Sequence, residues 1–152
     1  MVRAALILLL TALPAQGLTL ADLVGVWRGD GVWQAEGEPA QRLRCQLRGV
    51  ARAGGGLALS GRCATAQGGQ SFAWALSAAG GVVTARNEAP QTDDSPPTEP
   101  VRGVIGADGL RFDTPGGGRF DLVPDGAGLR LTLTGQDGGR RVAAEARLQR
   151  GG

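Results

Sequence analysis

Gln41-Arg42-Leu43-Arg44-Cys45-Gln46-Leu47-Arg48 and, beyond a glycine-rich turn, Leu57-Ala58-Leu59-Ser60-Gly61-Arg62-Cys63 are the two runs on which the fold is decided. Both alternate with a period of two, which in a strand sends successive side chains to opposite faces. Leu43, Cys45 and Leu47 share one face, with Arg42, Arg44 and Arg48 on the other. Leu57, Leu59 and Cys63 join the apolar face, and Arg62 the polar one. Folding the pair as a hairpin about Gly54 sets Cys45 opposite Cys63. Directly opposed residues have Cβ atoms about 4.5 Å apart, near disulfide range. The register therefore predicts a Cys45–Cys63 bridge, and these are the chain's two cysteines. Closing a loop of this length stabilises a fold by roughly 3 kcal/mol in the chain-entropy model.

The same register gathers Arg42, Arg44, Arg48 and Arg62 on the outer face. They read either as a basic stripe for an anionic surface or partner, or as the solvated exterior of a chain whose cations are all arginine. The second is taken as the default, since alternation alone produces it.

Outward from this hairpin the pattern repeats. Glycine makes up 27 of the 152 residues and clusters in short turn signals, among them Gly54-Gly55-Gly56, Gly80-Gly81, Asp108-Gly109 and Asp137-Gly138-Gly139. The intervening runs predict strands at 25–35, 41–51, 57–65, 70–78, 82–87, 101–106, 109–113, 118–123, 129–134 and 140–149. Short strands so spaced define an all-β sandwich or barrel. Residues 20–24 (LADLV) form at most one helical turn before the first strand. Residues 88–100 (EAPQTDDSPPTEP) break the pattern, since their prolines forbid a regular ladder. They are expected to form a flexible, acidic loop, and their acids lack the spacing of a calcium loop.

The first residues set the compartment. Arg3, the apolar run Ala4 to Leu10, the breaker Pro14 and the small residues Ala15 and Gly17 follow the order of a secretory signal peptide. The run is too short to span a membrane, and no second one follows. The expected organisation is a signal peptide at 1–17, cut after Ala15 or Gly17, and a single domain at 18–152. The protein is thus expected to be exported, periplasmic or secreted, with no transmembrane segment, and monomeric. Sixteen basic residues against 14 acidic ones give no nucleic-acid-binding balance.

Composition also removes much chemistry. There is no His, Tyr or Lys, so Ser-His-Asp and Cys-His catalysis, His-containing zinc sites, P-loops and Schiff bases are excluded. A carboxylate pair remains open, but Asp30, Asp108, Asp125 and Asp137 sit beside turns, which accounts for them. No catalytic, metal or cofactor residues are assigned, and a non-enzymatic protein is expected.

The two ends of the chain carry a resemblance. Gly25-Val26-Trp27, opening the first strand after a helical turn, resembles the start of the calycin barrels, including the lipocalins. In that superfamily the Trp closes one barrel end and an Arg of the last strand packs across it. Trp27 takes the first role by this resemblance, and Arg147 and Arg150 are both candidates for the second. The implied fold is an antiparallel up-and-down meander closing into a lipocalin-like barrel of about 8–10 strands, with one intradomain disulfide.

Two narrower resemblances follow. Leu23-x-Gly25-x-Trp27-x-Gly29-x-Gly31 and Ala144-x-Ala146-x-Leu148-x-Arg150 are similar to the nitrobindin-like haem barrels. Those ligate iron through His, which this chain lacks, so no haem is implied. Leu18 to Trp27, Cys45-Gln46-Leu47, Leu59 to Cys63 and Ala73-Trp74 resemble, in order, the periplasmic alkaline metalloproteinase inhibitors. Their N-terminal tail enters the protease cleft, which would make 16–22 an exposed, flexible segment.

The leading expectation is an exported binding protein for a small apolar or amphipathic molecule or a protein partner. Inhibition of a secreted metalloprotease and a structural envelope role are the alternatives. Trp27, Trp33, Phe72, Trp74, Leu76, Leu110, Phe112, Phe120, Leu122, Leu129, Leu131, Leu133, Val142 and Leu148 are expected to point inward. Of these Trp33, Phe72, Trp74, Phe112 and Phe120 are candidates to line a ligand site, provided the barrel is hollow.

Overall fold

The computed structural model describes residues 16–90 and 99–151. The expected signal peptide and the core of the acidic loop therefore lie mostly outside the described residues. Ten strands follow one another: β1 Gly25–Ala35, β2 Gln41–Ala51, β3 Leu57–Thr65, β4 Gly68–Ala79, β5 Val82–Asn87, β6 Val101–Gly106, β7 Gly109–Thr114, β8 Gly118–Asp125, β9 Gly128–Asp137 and β10 Arg140–Arg150. Each pairs antiparallel with the next, and β1 pairs with β10, so the meander closes into a barrel. The closing ladder runs from Trp27 opposite Arg150 to Ala35 opposite Val142.

Alternation does the sorting. The apolar set of each strand turns inward, and most of the charged residues turn outward, the reverse of a membrane-spanning barrel with its lipid-facing apolar band. Among the described residues no helix is long and apolar enough to cross a membrane. Cys45 pairs with Cys63 on the inner face, with Cα atoms 4.1 Å apart, and the two are bonded.

One end of the barrel is plugged. Leu20–Leu23 form a single 3-10 turn, started by Thr19, whose N–H and hydroxyl both bond an Asp22 carboxylate oxygen at 2.8 Å. Leu18, Leu20 and Leu23 are buried beneath the strands. The Trp27 indole N–H donates to the Leu23 carbonyl at 3.1 Å. The Arg150 guanidinium lies 4.4 Å from the centre of the Trp27 ring. It also donates to the carbonyls of Val24 (2.6 Å) and Asp22 (2.9 Å). Cation–π attraction and two charge-assisted hydrogen bonds thus act at one point. Gly25 has φ +125°, and a Cβ there would sit 2.8 Å from an Arg150 nitrogen. The glycine of Gly25-x-Trp27 is therefore required both by the backbone and by the arginine. Arg147, the other candidate for this role, faces outward and meets Asp125 at 3.6 Å.

Five strands depart from their expected limits, β7 and β10 by a single residue at the C-terminal end. β4 begins at Gly68, β8 runs through Pro124 to Asp125, and β9 extends to Asp137. Gly135, Gln136 and Asp137 carry no apolar alternation, but each has a partner on β10. Ladder pairing prolongs these strands where side-chain pattern gives no signal. Pro124 is tolerated at its exposed strand end, where its missing donor costs little.

Replacing both Cys45 and Cys63 with Ala is expected to lower the unfolding free energy by about 3 kcal/mol, read as a lower urea midpoint. Arg150→Ala should cost about 1–3 kcal/mol through the lost ring contact and carbonyl bonds. Arg147→Ala, which breaks one exposed ion pair, should cost at most about 1 kcal/mol. Equal losses in the two arginine variants would contradict the closure described.

Candidate ligand-binding site

Among the described residues, the opposite end of the barrel is open. It is framed by the β1–β2, β3–β4, β7–β8 and β9–β10 turns. Here the inward positions change character. Those nearer the plugged end are Leu, Val and Phe, whereas those at the open end include Gln41, Thr65, Gly68, Gln70, Thr114, Gly118 and Gly135. Small and polar side chains leave a cavity of about 750 Å³ open to solvent, within the size range of small-molecule sites.

Its inner surface is aromatic. Trp33, Phe72, Trp74 and Phe120 line it, with Leu43, Leu133, Val142 and the Cys63 half of the disulfide. Phe72 meets Phe120 edge-on at 5.4 Å. Phe112 stacks on Phe120 at 4.9 Å and meets Trp74 edge-on at 5.0 Å. Gly61 opposes Phe72 on the neighbouring strand, and a Cβ there would come within 2.3 Å of the ring. Only glycine lets the Phe72 ring lie across β3.

The sequence-predicted residues separate here. Trp33, Phe72, Trp74 and Phe120 line the cavity together. Phe112 does not line it: it packs against Phe120 and Trp74. Trp27 belongs to the plug at the far end. Of the residues expected inward, Trp33, Phe72, Leu133 and Val142 are only half-buried, and all four line the cavity. Their partial exposure is the hollow itself.

The rim is polar and mostly uncharged. Gln41, Gln67, Gln70, Ser71, Thr114, Thr134 and Gln136 contribute amides and hydroxyls, and the Gln41 amide N–H bonds the Gln67 side-chain oxygen at 3.2 Å. These residues were not singled out from the sequence. The signal that finds several of them is parity: Gln41 shares the face of Leu43, Gln70 that of Phe72, and Thr114 that of Phe112. Arg119 and Asp137 are the charged residues of the lining, and Arg119 is engaged with Asp113 at 2.9 Å. The Trp74 indole N–H is buried and finds no acceptor among the described residues.

Ion pairs brace the margin. Arg141 bonds Glu36 and Arg140 bonds Glu38, tying the β9–β10 turn to the β1–β2 turn. The Arg141 main-chain N–H, with its guanidinium, holds the Glu36 carboxyl below its ordinary value of 4.5. Elsewhere on the surface Arg52 makes two 2.7 Å bonds to Glu88 and lowers that carboxyl likewise.

The N-terminal segment is docked rather than free. Leu18 donates its N–H to the Gly106 carbonyl at 2.9 Å, and Leu18 and Leu20 are buried. No protein-family model matches this chain, and no curated protein matches it.

With both cysteines bonded and no His, Lys or Tyr, the chain lacks the side-chain types whose ordinary values fall between about pH 5 and 12. Glu36 and Glu88 have folded values below their unfolded ones. Their contribution to stability is present above about pH 4.5 and is lost as pH falls through the lowered values. The melting temperature is therefore expected to be flat from about pH 6 to 10 and to decline below about pH 4.5. Glu88→Gln should flatten the acid limb.

Proposed function

We propose that this chain is a non-enzymatic binding protein that takes a small, uncharged, amphipathic molecule into the open end of its barrel. The observation that carries the reading is the cavity of about 750 Å³ with an aromatic interior and a rim of amides and hydroxyls. An apolar body would lie against Trp33, Phe72, Trp74 and Phe120. Polar edges of the ligand would meet the glutamines and threonines, and an acceptor on it would suit the unpartnered Trp74 donor.

Uncharged follows from the lining, which places no ionised group among the aromatic rings. Non-enzymatic rests on the residue types present and on the carboxylates. Among the described residues no Asp or Glu is buried, and those within strands face outward or lie at strand ends. We place the barrel with the calycins on the Trp27–Arg150 closure and the meander. We read it as an exported protein from the apolar leader and the disulfide, and as a monomer because a closed barrel presents no free strand edge. The docked state of Leu18 and Leu20 gives no support to an inhibitory N-terminal tail.

The test is a titration with N-phenyl-1-naphthylamine, a neutral amphipathic fluorophore. Saturable one-to-one binding is expected, with transfer from Trp33 and Trp74. Val142→Trp, which fills the half-buried wall, should weaken it by about tenfold or more. Absence of saturable binding, or binding indifferent to Val142→Trp, would count against the proposal.

A further inference from the structure

The outer face of β1–β4 holds a second concavity, on the other side of the sheet from the cavity and adjoining it at Ser71 and Phe72. Gln46 is exposed at the middle of β2. Its cross-strand partners are Arg28 on β1 and Arg62 on β3. Its neighbours on the same face of its own strand are Arg44 and Arg48. Strands lie about 4.8 Å apart, and alternate residues about 6.8 Å. Four guanidinium groups therefore surround one neutral amide.

A groove of about 860 Å³ runs between these arginines, its floor made of small residues, including Gly29, Ser60 and Gly61. Long cationic side chains stand around a shallow bed, which gives a concave site on the convex side of a barrel.

The solvated-exterior reading expects arginines balanced by acids, and the β7–β10 side of the barrel obeys it. On β7 to β10, Arg111, Arg119, Arg130, Arg140, Arg141 and Arg147 each reach a carboxylate within 4 Å. The groove differs. Arg44 shares Asp30 with Arg42, at 3.4 and 3.8 Å. Among the described residues Arg28 bonds only the neutral Gln46 side chain (3.3 Å), and Arg62 only the Ser71 hydroxyl (3.4 Å). Arg48 has no side-chain partner among the described residues. Like charges on adjacent strands are destabilising, so clustering these cations about a single acid, Asp30, runs against stability alone.

We propose that this groove binds a compact polyanion carrying two or more phosphate groups. Guanidinium pairs bidentately with phosphate and carboxylate alike. A single carboxylate, however, engages one or two of the four groups, whereas linked phosphates present oxygens in several directions at once. The Gln46 amide and the Ser60 and Ser71 hydroxyls add neutral donors beside them.

Inorganic tripolyphosphate is the probe, titrated calorimetrically into the folded, oxidised protein at low ionic strength. Saturable one-to-one binding is expected. Arg28→Gln with Arg62→Gln should weaken it by about tenfold or more, and Arg48→Gln alone by a smaller factor. Arg140→Gln with Arg141→Gln removes the same charge from the acid-balanced side and should change affinity by less than about twofold. All these side chains are exposed or at strand surfaces, and far-UV circular dichroism verifies the fold of each variant. Equal weakening by the two double variants would reduce the effect to diffuse charge and overturn the site. Binding to vesicles rich in phosphatidylglycerol, with none to tripolyphosphate, would assign the face to a bilayer and overturn it as well. No binding to either probe refutes it outright.

Discussion

The pairing of β1 with β10 is the constraint on which the rest of this molecule depends. An open meander of ten strands would end in two long edges, each with a row of unpaired backbone donors and acceptors. Closure removes both, and it fixes which face of every strand is inside. Once that is set, a two-residue alternation is enough to send leucine inward and arginine outward around the whole circumference. Closure also brings the start of β1 and the end of β10 to the same end of the barrel. The contact of Trp27 with Arg150 is a consequence of that, and it seals the end where the 3-10 turn lies.

The asymmetry between the two ends follows from side-chain volume. Along a strand, backbone geometry is nearly uniform, so a hollow must come from what the inward positions carry. Leu57, Leu110, Leu122, Leu131 and Leu148 are almost fully buried and fill the sealed half. Toward the other end the same inward rows carry Gly118, Gly135, Thr65 and Gln70. These do not reach across the barrel, and interiors exclude water only where atoms meet. The stacked Phe112 and Phe120 mark the boundary: both are buried, and Phe120 is the one that borders the cavity.

Much of the fold was legible because alternation is a local signal. The limits of β1, β2, β3, β5 and β6, the pairing of Cys45 with Cys63 and the inward leucines all follow from it. The outer ends of β4, β8 and β9 did not, because Gly68, Pro124 and Gly135 are held by ladder partners rather than by a side-chain pattern. Arg147 and Arg150 both stood as candidates, although alternation separates them: position 150 shares the inward face of Leu148, and 147 does not. The aromatic residues of the cavity were legible as inward-facing. That Phe112 lies under the floor rather than on it depends on depth along the barrel axis, which only the register between many strands sets. The rim glutamines were invisible because a polar residue at an inward parity resembles a loop residue until the strand is known to continue past it.

The disulfide sits where this logic makes the sheet weakest. β2 and β3 carry Arg44, Arg48 and Arg62 on their outer faces, and with Arg28 they crowd like charges across three adjacent strands. Hydrogen-bond ladders hold against that repulsion only within limits, and at low ionic strength it is least screened. Cys45 adjoins Gln46, and Cys63 adjoins Arg62, so the covalent bridge lies on the inner face directly behind the ring of arginines. A sheet is one residue thick, and a bond on one face fixes the spacing of groups on the other. The bridge thus ties together covalently the two strands that carry Arg44, Arg48 and Arg62. It also supplies part of the wall of the cavity, through Cys63. One covalent link thereby stiffens the two surfaces that carry the molecule's distinctive chemistry, the neutral hollow within and the cationic groove outside.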